Sequence, residues 1–201
     1  MKNRDLHLWQ EFSDIKNGGR SIKVRMLFET GYEEVEALTV VDLLRRAKVD
    51  CLMVAADDQD TVTGSHGITV KMDEKISELA DDADMIVLPG GMPGVTNLIA
   101  NEKVKNLVCG QYEAGRYVAA ICAAPTAFGA FGILKDKKAT CYPGMEAGLH
   151  CAEVLYDSVV TDGKVITSRG MGTAIDFGLK LVEILTDQDT SEKLAAAIVY
   201  K

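Results

Sequence analysis

The segment 121–125 (ICAAP) places a cysteine between a run of apolar residues and a proline. The run 117–121 (YVAAI) is typical of a buried strand, and a helix is predicted to begin just after Cys122. Free N–H groups and the positive dipole end of that helix would stabilise a thiolate. A cysteine at a strand end is also commonly a small buried apolar residue. Cys122 is therefore either a nucleophile at a strand-to-helix turn or a packing residue.

Two glycines follow another apolar run. The run 85–88 (MIVL) predicts a buried strand, and Gly90 and Gly91 come directly after its closing proline. Glycine allows backbone N–H groups to approach an oxyanion closely, as an oxyanion hole requires. A pair of glycines is also common in ordinary turns. It indicates an oxyanion site only in combination with the cysteine motif at a neighbouring strand end.

An acidic run, 33–36 (EEVE), precedes an apolar helical pattern. Glu33 and Glu36 are three residues apart and share one helix face, whereas Glu34 points elsewhere. Acidic residues in a first helical turn are also normal capping chemistry. A carboxyl group of Glu36 beside a thiolate would have a raised pKa and stay protonated. It could then donate a hydrogen bond to sulfur or transfer a proton.

Strands and helices that alternate along the chain position these motifs. Apolar strands are predicted at 22–28, 51–55, 85–88, 117–121, 139–141, 158–161 and 164–167. Helices are predicted at 33–48, 95–114, 124–134, 173–185 and 191–199. The pattern indicates one doubly wound α/β domain over 22–201, with a mostly parallel sheet and helices on both faces. Ligands bind beyond the carboxyl ends of such strands, where the three motifs would meet.

Residues 1–21 form an N-terminal extension of different composition. Leu8, Trp9, Phe12 and Ile15 would share one face of a short amphipathic helix. This helix is either an accessory N-terminal segment or a docked helix that covers a surface groove or a subunit contact. The sequence has no signal-peptide pattern and no apolar run of the ~18–20 residues that span a membrane. A cytoplasmic location without membrane binding is therefore expected.

Composition narrows the class of function. The 201 residues contain 22 basic and 30 acidic side chains, a net charge of −8, which argues against general binding to nucleic acid or anionic membranes. The five cysteines show no CxxC spacing, so neither a disulfide framework nor a zinc site is expected. Reduced thiols are predicted instead.

Five segments together resemble the DJ-1/ThiJ/PfpI superfamily, and most closely its DJ-1 branch, which includes bacterial DJ-1-like proteins. The segments are 31–37 (GYEEVEA), 41–47 (VDLLRRA), 87–91 (VLPGG), 119–125 (AAICAAP) and 167–174 (TSRGMGTA). The resemblance covers about residues 22–200. It implies a flavodoxin-like fold, similar to class I glutamine amidotransferases, and a homodimer.

The resemblance also assigns roles to residues. Cys122 matches the reactive cysteine of the family, and Glu36 matches the protonated glutamate that hydrogen-bonds to it. Gly91 and Ala123 match the residues whose N–H groups form the anion site beside Gly90. The implied activity is that of a glutathione-independent glyoxalase or deglycase acting on methylglyoxal, glyoxal or their early adducts, with no metal or organic cofactor.

Two non-enzymatic interpretations remain open. In one, oxidation of Cys122 makes the protein a redox sensor or chaperone, because a reactive thiol beside a protonated acid is also sensitive to peroxide. In the other, the protein is a structural or regulatory dimer with a vestigial site.

Departures from the family pattern carry information as well. Protease-like branches have a histidine where Ala123 stands, so a PfpI-type peptidase is disfavoured. Tyr142 stands where some DJ-1 members carry a histidine near the site. Whether His66 or His150 approaches Cys122 is left open by the sequence, with a solvated loop as the alternative for each.

Three further residues are candidates for the surroundings of the site. Cys141 is a possible second thiol beside Tyr142, and Glu33 shares a helix face with Glu36. Arg169 would position an anion or the partner subunit, or form a structural salt bridge. The remaining cysteines are predicted to be packing residues or lie in unassigned regions: Cys51, Cys109 and Cys151.

Overall fold

The computed structural model describes residues 16–17 and 20–201, and in this part a seven-stranded sheet dominates the fold. Its strands are β1 (Lys23–Phe28), β2 (Asp50–Ala55), β3 (Glu74–Lys75), β4 (Met85–Leu88), β5 (Tyr117–Ile121), β6 (Val159–Asp162) and β7 (Val165–Ser168). The strand order is β6-β7-β5-β4-β1-β2-β3. All neighbours run parallel except the β6–β7 hairpin. The predicted doubly wound, mostly parallel sheet is confirmed.

Six α-helices are described, and they cover both faces of the sheet. They are α1 (Glu34–Arg46), α2 (Gly94–Ala100), α3 (Glu102–Glu113), α4 (Pro125–Ala130), α5 (Ala174–Leu185) and α6 (Gln188–Ala197). One apolar layer joins α1, α5 and α6 to the sheet, with Val40, Phe177 and Leu194 fully buried. The other joins α2, α3 and α4 to the opposite face through Leu98 and Phe128 among others. Because both faces are covered, the central strands read as unbroken apolar runs.

Two predicted helices are shorter than expected. The span 95–114 is two helices, because the Asn101 side chain caps α3 by accepting hydrogen bonds from the N–H groups of Lys103 and Val104 at 3.0 and 3.4 Å. The amide of Asn101 also donates to the carbonyl of Ala56 at 2.8 Å, a tertiary contact that fixes the break. Helix α4 ends at Ala130, well before the predicted end of that helix.

Short strands account for several other differences, and one of them, β3 at the edge of the main sheet, was not predicted. The predicted strand 139–141 is reduced to Lys138–Ala139, which pairs in parallel with Glu153–Val154. An antiparallel hairpin of Thr61–Thr63 and Thr69–Lys71 was not predicted, because its strands are short and polar. A further pair, Lys16–Asn17 with Arg20–Ser21, precedes the domain.

The predicted N-terminal helix around Trp9 lies outside the described residues. Within the described part of the chain, no helix has the length and apolar character needed to cross a bilayer.

Candidate active site

Cys122 occupies a sharp turn between β5 and α4. Its φ angle is +65°, in the left-handed region that side chains other than glycine rarely adopt. The Cys122 N–H donates to the carbonyl of Ser168 at 3.0 Å, and the Cys122 carbonyl accepts from the N–H of Tyr142 at 2.7 Å. These bonds to neighbouring segments hold the residue in the strained conformation. Such strain is found most often where a side chain is presented for function, as at a nucleophile elbow.

Glu36 projects from the first turn of α1 toward the sulfur and is almost fully buried. One carboxylate oxygen, Oε2, accepts a hydrogen bond from the N–H of Gly90 at 3.1 Å, and interaction with the Cys122 thiol lowers the pKa of the carboxyl group. Glu33 caps the same helix, because its side chain accepts from the N–H of Glu36 at 2.7 Å. Glu33 thereby fixes the first helical turn and the position of Glu36.

The two glycines allow these groups to meet. A Cβ atom on Gly90 would lie 2.5 Å from both the Cβ of Cys122 and Oε2 of Glu36. Gly91 has a φ of +96°, and its Cβ would lie 2.3 Å from the backbone nitrogen of Glu33. The N–H groups of Gly91 and Ala123 act on the sulfur of Cys122 and lower the pKa of its thiol. The predicted cysteine, glutamate and backbone donors therefore lie in one place.

The thiol and the carboxyl group titrate as a coupled pair. Burial raises the pKa of Glu36 to about 7, against the opposing hydrogen bonds from Cys122 and Gly90. Burial, together with the charge and hydrogen bond of Glu36, raises the pKa of Cys122 to about 12, whereas the N–H groups of Ala123 and Gly91 lower it. The pair thus loses its first proton near pH 7, and the values belong to the pair as a whole.

This coupling corrects the simple expectation of a thiol acidified by a helix end. An ionised Glu36 opposes a second negative charge on sulfur, so a thiolate forms only while the proton stays on the carboxyl group. In that arrangement the carboxyl O–H donates to sulfur, and the two N–H groups of Gly91 and Ala123 bear on the same charge. A thiolate and a proton donor would then be present together.

Tyr142 and Arg169 lie on one side of the site. A Cβ on Gly170 would be 3.4 Å from the Tyr142 ring and 3.9 Å from Oε1 of Glu36, so Gly170 separates the two. The Arg169 guanidinium donates to the carbonyl of Tyr156 at 3.3 Å and lies over the Tyr156 ring, with its Cζ 5.6 Å from the centroid. Sequence reasoning missed Gly170, although the glycines of the 167–174 segment were its signal.

Cys141 is buried, and its Sγ donates to the carbonyl of Tyr142 at 3.4 Å. Burial, with the negative charge of Glu146, raises the pKa of Cys141 to about 11. These surroundings fit a packing residue better than a second reactive thiol.

The two loop histidines have different surroundings. His66 contacts Glu34, with 2.9 Å between its Nδ1 and Oε2 of Glu34, and Oε1 of Glu34 accepts from the His66 N–H at 2.7 Å. His150 is exposed. Sequence reasoning also missed that buried Glu34 joins α1 to the 61–71 hairpin.

Glu33, Glu34 and His66 are the group of potential metal ligands found among the described residues, with ligand atoms within 4.8 Å of one another. The hydrogen bonds from His66 to Glu34 already satisfy its carboxylate, which accounts for this cluster as a structural contact.

The fold and site define a flavodoxin-like domain with a cysteine on a strained strand-to-helix turn, close to a buried carboxyl group. The DJ-1/PfpI family model matches residues 22–184, and the chain belongs to that family.

Known proteins agree with this assignment. Protein DJ-1 homolog B of Arabidopsis thaliana is 38% identical over 182 residues, which cover 89% of this chain and 42% of the plant protein. The chain thus spans less than half of that relative. The glutathione-independent glyoxalase DJR-1.2 of Caenorhabditis elegans is 32% identical over 165 residues, covering 81% of this chain and 87% of the worm protein. The structure of oxidized Toxoplasma gondii DJ-1 matches with a TM-score of 0.86 at 32% identity, covering 90% and 99% of the two chains.

Proposed function

We propose that the protein converts 2-oxoaldehydes such as methylglyoxal and glyoxal, or their early adducts, to 2-hydroxy acids without glutathione. The observation that carries this proposal is the convergence of one sulfur, one buried carboxyl group and two backbone N–H donors in one site. Addition to an aldehyde needs these three functions: a nucleophile, a proton donor and a site for the oxyanion. The glyoxalase name of the worm relative supports the proposal.

The first step is addition of the Cys122 thiolate to the aldehyde carbon. A C–S bond forms, and the carbonyl π electrons move to oxygen. The oxyanion lies near the N–H groups of Gly91 and Ala123 and takes the proton of the Glu36 carboxyl group. The product is a neutral hemithioacetal beside an ionised Glu36.

The second step moves one proton between adjacent carbons. The Glu36 carboxylate removes the proton from the former aldehyde carbon, giving an enediolate with its negative charge on the former keto oxygen. Glu36 returns the proton to the former keto carbon, and the hydroxyl proton passes from the oxygen of the first carbon to the oxygen of the second. The first carbon is oxidised to a thioester and the second is reduced to an alcohol, so no external oxidant or reductant is needed. Water then cleaves the thioester and releases the 2-hydroxy acid and the Cys122 thiol.

A peptidase is not part of the proposal. Ala123 follows the nucleophile directly, so the histidine that protease-like branches use there is missing. Glu36 is the acid–base group in contact with the thiol, and it faces sulfur from α1. A single carboxyl group of this kind suits proton transfer within a small bound aldehyde.

The test is lactate formation from methylglyoxal in the absence of glutathione. Wild type is expected to form lactate, whereas Cys122→Ala and Glu36→Gln lose at least 99% of the activity, as loss of a nucleophile or general acid–base group does (roughly 10²-fold or more). Gly110→Ala, on the exposed face of α3 with no atom within 4 Å of the added Cβ, is the matched control. Equal rates in wild type and Cys122→Ala would refute an enzymatic role.

Redox sensing is the second candidate function. Cys122 is partly exposed, as are Cys109 and Cys151, whereas Cys51 and Cys141 are buried. Cys122 differs from the other two partly exposed cysteines because it lies close to the buried Glu36 carboxyl group. A protonated Glu36 could donate a hydrogen bond to a sulfinate oxygen. Mass spectrometry after mild peroxide distinguishes the roles: two oxygens added selectively at Cys122, with no aldehyde turnover, would favour sensing.

The proposal includes a cytoplasmic homodimer. Reduced cysteines suit a reducing compartment, and family resemblance supports the dimer. Light scattering coupled to gel filtration measures the mass, and a monomer at micromolar concentration would contradict this part. The N-terminal residues 1–21 are proposed to be an extension outside the catalytic domain.

A further inference from the structure

A cavity of about 420 Å³ lies beside the candidate active site. Its walls include the side chains of Tyr142, Pro143, Arg169 and Met171, together with the backbone of Gly170. Tyr142 and Met171 are 51% and 56% exposed, so both present apolar surface to solvent. The cavity therefore offers an apolar surface, in a size range that accommodates small organic ligands.

Two contacts connect the cavity to the reacting groups. The Tyr142 N–H donates to the carbonyl of Cys122 at 2.7 Å, which fixes the tyrosine backbone to the nucleophile turn. At Gly170, an added Cβ would be 3.4 Å from Cδ2 of Tyr142 and 3.9 Å from Oε1 of Glu36. The Gly170 backbone thus lies close to both the tyrosine ring and the carboxyl group. A molecule held at Cys122 has this cavity next to it.

We infer that this cavity binds the substituent on the keto carbon and selects 2-oxoaldehydes whose substituent is an aromatic ring over those with a methyl group. The inference rests on the proposed function and names its substrate class. A planar ring can stack on Tyr142, and the Met171 thioether makes favourable contacts with aromatic ring edges. The methyl group of methylglyoxal is too small to fill such a space.

The overall reaction stays balanced for the larger substrate. Phenylglyoxal plus water gives mandelic acid, with the aldehyde carbon oxidised and the keto carbon reduced by the proton transfers described above. The aromatic ring takes no part in the bond changes. Its binding energy therefore acts through orientation of the reacting carbons, and is expected to raise kcat/KM.

The first test compares kcat/KM for phenylglyoxal and methylglyoxal, read as mandelate and lactate. Wild type is expected to favour phenylglyoxal by about tenfold or more, the ratio that ~1.4 kcal/mol of ring contact gives. Tyr142→Ala and Met171→Ala should each reduce this ratio several-fold, and Tyr142→Phe, which keeps the ring, should preserve it. Tyr156→Ala is the control, since Tyr156 contacts Arg169 without lining the cavity. An unchanged ratio in both alanine variants would overturn the inference.

A second test does not require turnover. Cys122 is alkylated with iodoacetamide and with 2-iodo-N-phenylacetamide, and the rates at this residue are read by peptide mass spectrometry. Wild type should prefer the phenyl reagent, and Tyr142→Ala should lose the preference. If neither aldehyde is consumed, the proposed function fails. The ratio of the two alkylation rates still shows whether the cavity binds an aromatic ring. Equal preference in wild type and Tyr142→Ala would refute a ring-binding role.

Discussion

Replacing Glu36 with glutamine should stabilise the protein at neutral and alkaline pH while it removes the acid–base group. Burial raises the pKa of Glu36 from 4.5 to about 7, so the folded state holds this proton more tightly than the unfolded chain does. Once the pH exceeds that value, ionisation of the buried carboxyl group lowers the free energy of unfolding. Glutamine is never ionised, and its carbonyl can still accept from the N–H of Gly90, so the variant avoids this destabilisation.

The size and pH range of the effect follow from the same numbers. Below pH 4.5 the carboxyl group is protonated in both states, so wild type and Glu36→Gln differ only by packing. Between pH 4.5 and about 7 the wild type loses stability relative to the variant. At about 1.36 kcal/mol for each pKa unit, the difference reaches roughly 3 kcal/mol above pH 7 and then levels off.

Urea denaturation at pH 5, 6, 7 and 8, at one protein concentration, measures the difference directly. The comparison is repeated in a Cys122→Ala background, where the thiol no longer titrates with Glu36. Glu102→Gln makes the same chemical change at an exposed helix start and controls for the loss of one charge. A difference that does not grow from pH 5 to pH 8 would refute the assignment of a buried, protonated carboxyl group.

Two further substitutions test the geometry around this carboxyl group. Gly90→Ala would place a Cβ 2.5 Å from both Cβ of Cys122 and Oε2 of Glu36, so alkylation of the thiol and aldehyde turnover should each fall about 100-fold. Burial raises the pKa of Glu34, but hydrogen bonding from His66 outweighs this effect and lowers the pKa to about 2. The Glu34 carboxylate therefore contributes stability above pH 4.5, and this stability is lost as the pH falls toward 2. Glu34→Gln should therefore reduce stability by about 1–2 kcal/mol at pH 6 in urea denaturation, and by less at pH 3.

Each of these has an outcome that would contradict it. Gly110→Ala adds the same methyl group to an open helix position and should leave thiol reactivity as it is. Unchanged reactivity in Gly90→Ala would mean that the thiol and carboxyl group do not meet at this glycine. A Glu34→Gln variant as stable as wild type at both pH values would contradict a stabilising contact between Glu34 and His66.

The sequence predicted the site because its chemistry lies at strand ends. Apolar runs locate strands well when both faces of a sheet are covered, and parallel strands bring their carboxyl ends to one edge. The sequence alone therefore predicted that Cys122, Gly90 and Glu36 lie close together. The left-handed φ of Cys122 was not predicted, since its residue type disfavours that conformation.

What sequence reasoning missed depends on contacts between distant segments. Asn101 splits a continuous helical pattern because its side chain also reaches Ala56, and no local periodicity encodes that contact. Glu34 has the appearance of a solvated first-turn residue, yet it is buried against a polar hairpin. The direction of the thiol pKa was wrong for a similar reason. A helix end lowers it locally, whereas burial and the facing carboxyl group of Glu36 outweigh that effect.

The central claim is that the Cys122 thiol and the Glu36 carboxyl group share protons as one unit. Its most direct test is the pH dependence of Cys122 alkylation in wild type and in Glu36→Gln, followed at that residue by mass spectrometry. We predict that wild type reacts with a midpoint above the ~8.5 of an exposed thiol, since burial and the facing carboxyl group of Glu36 raise the pKa of Cys122 to about 12. The midpoint should move downward in Glu36→Gln, because the charge and hydrogen bond of Glu36 that raise the pKa of the thiol are then removed. Identical profiles in both proteins, each with a midpoint near ~8.5, would contradict the claim.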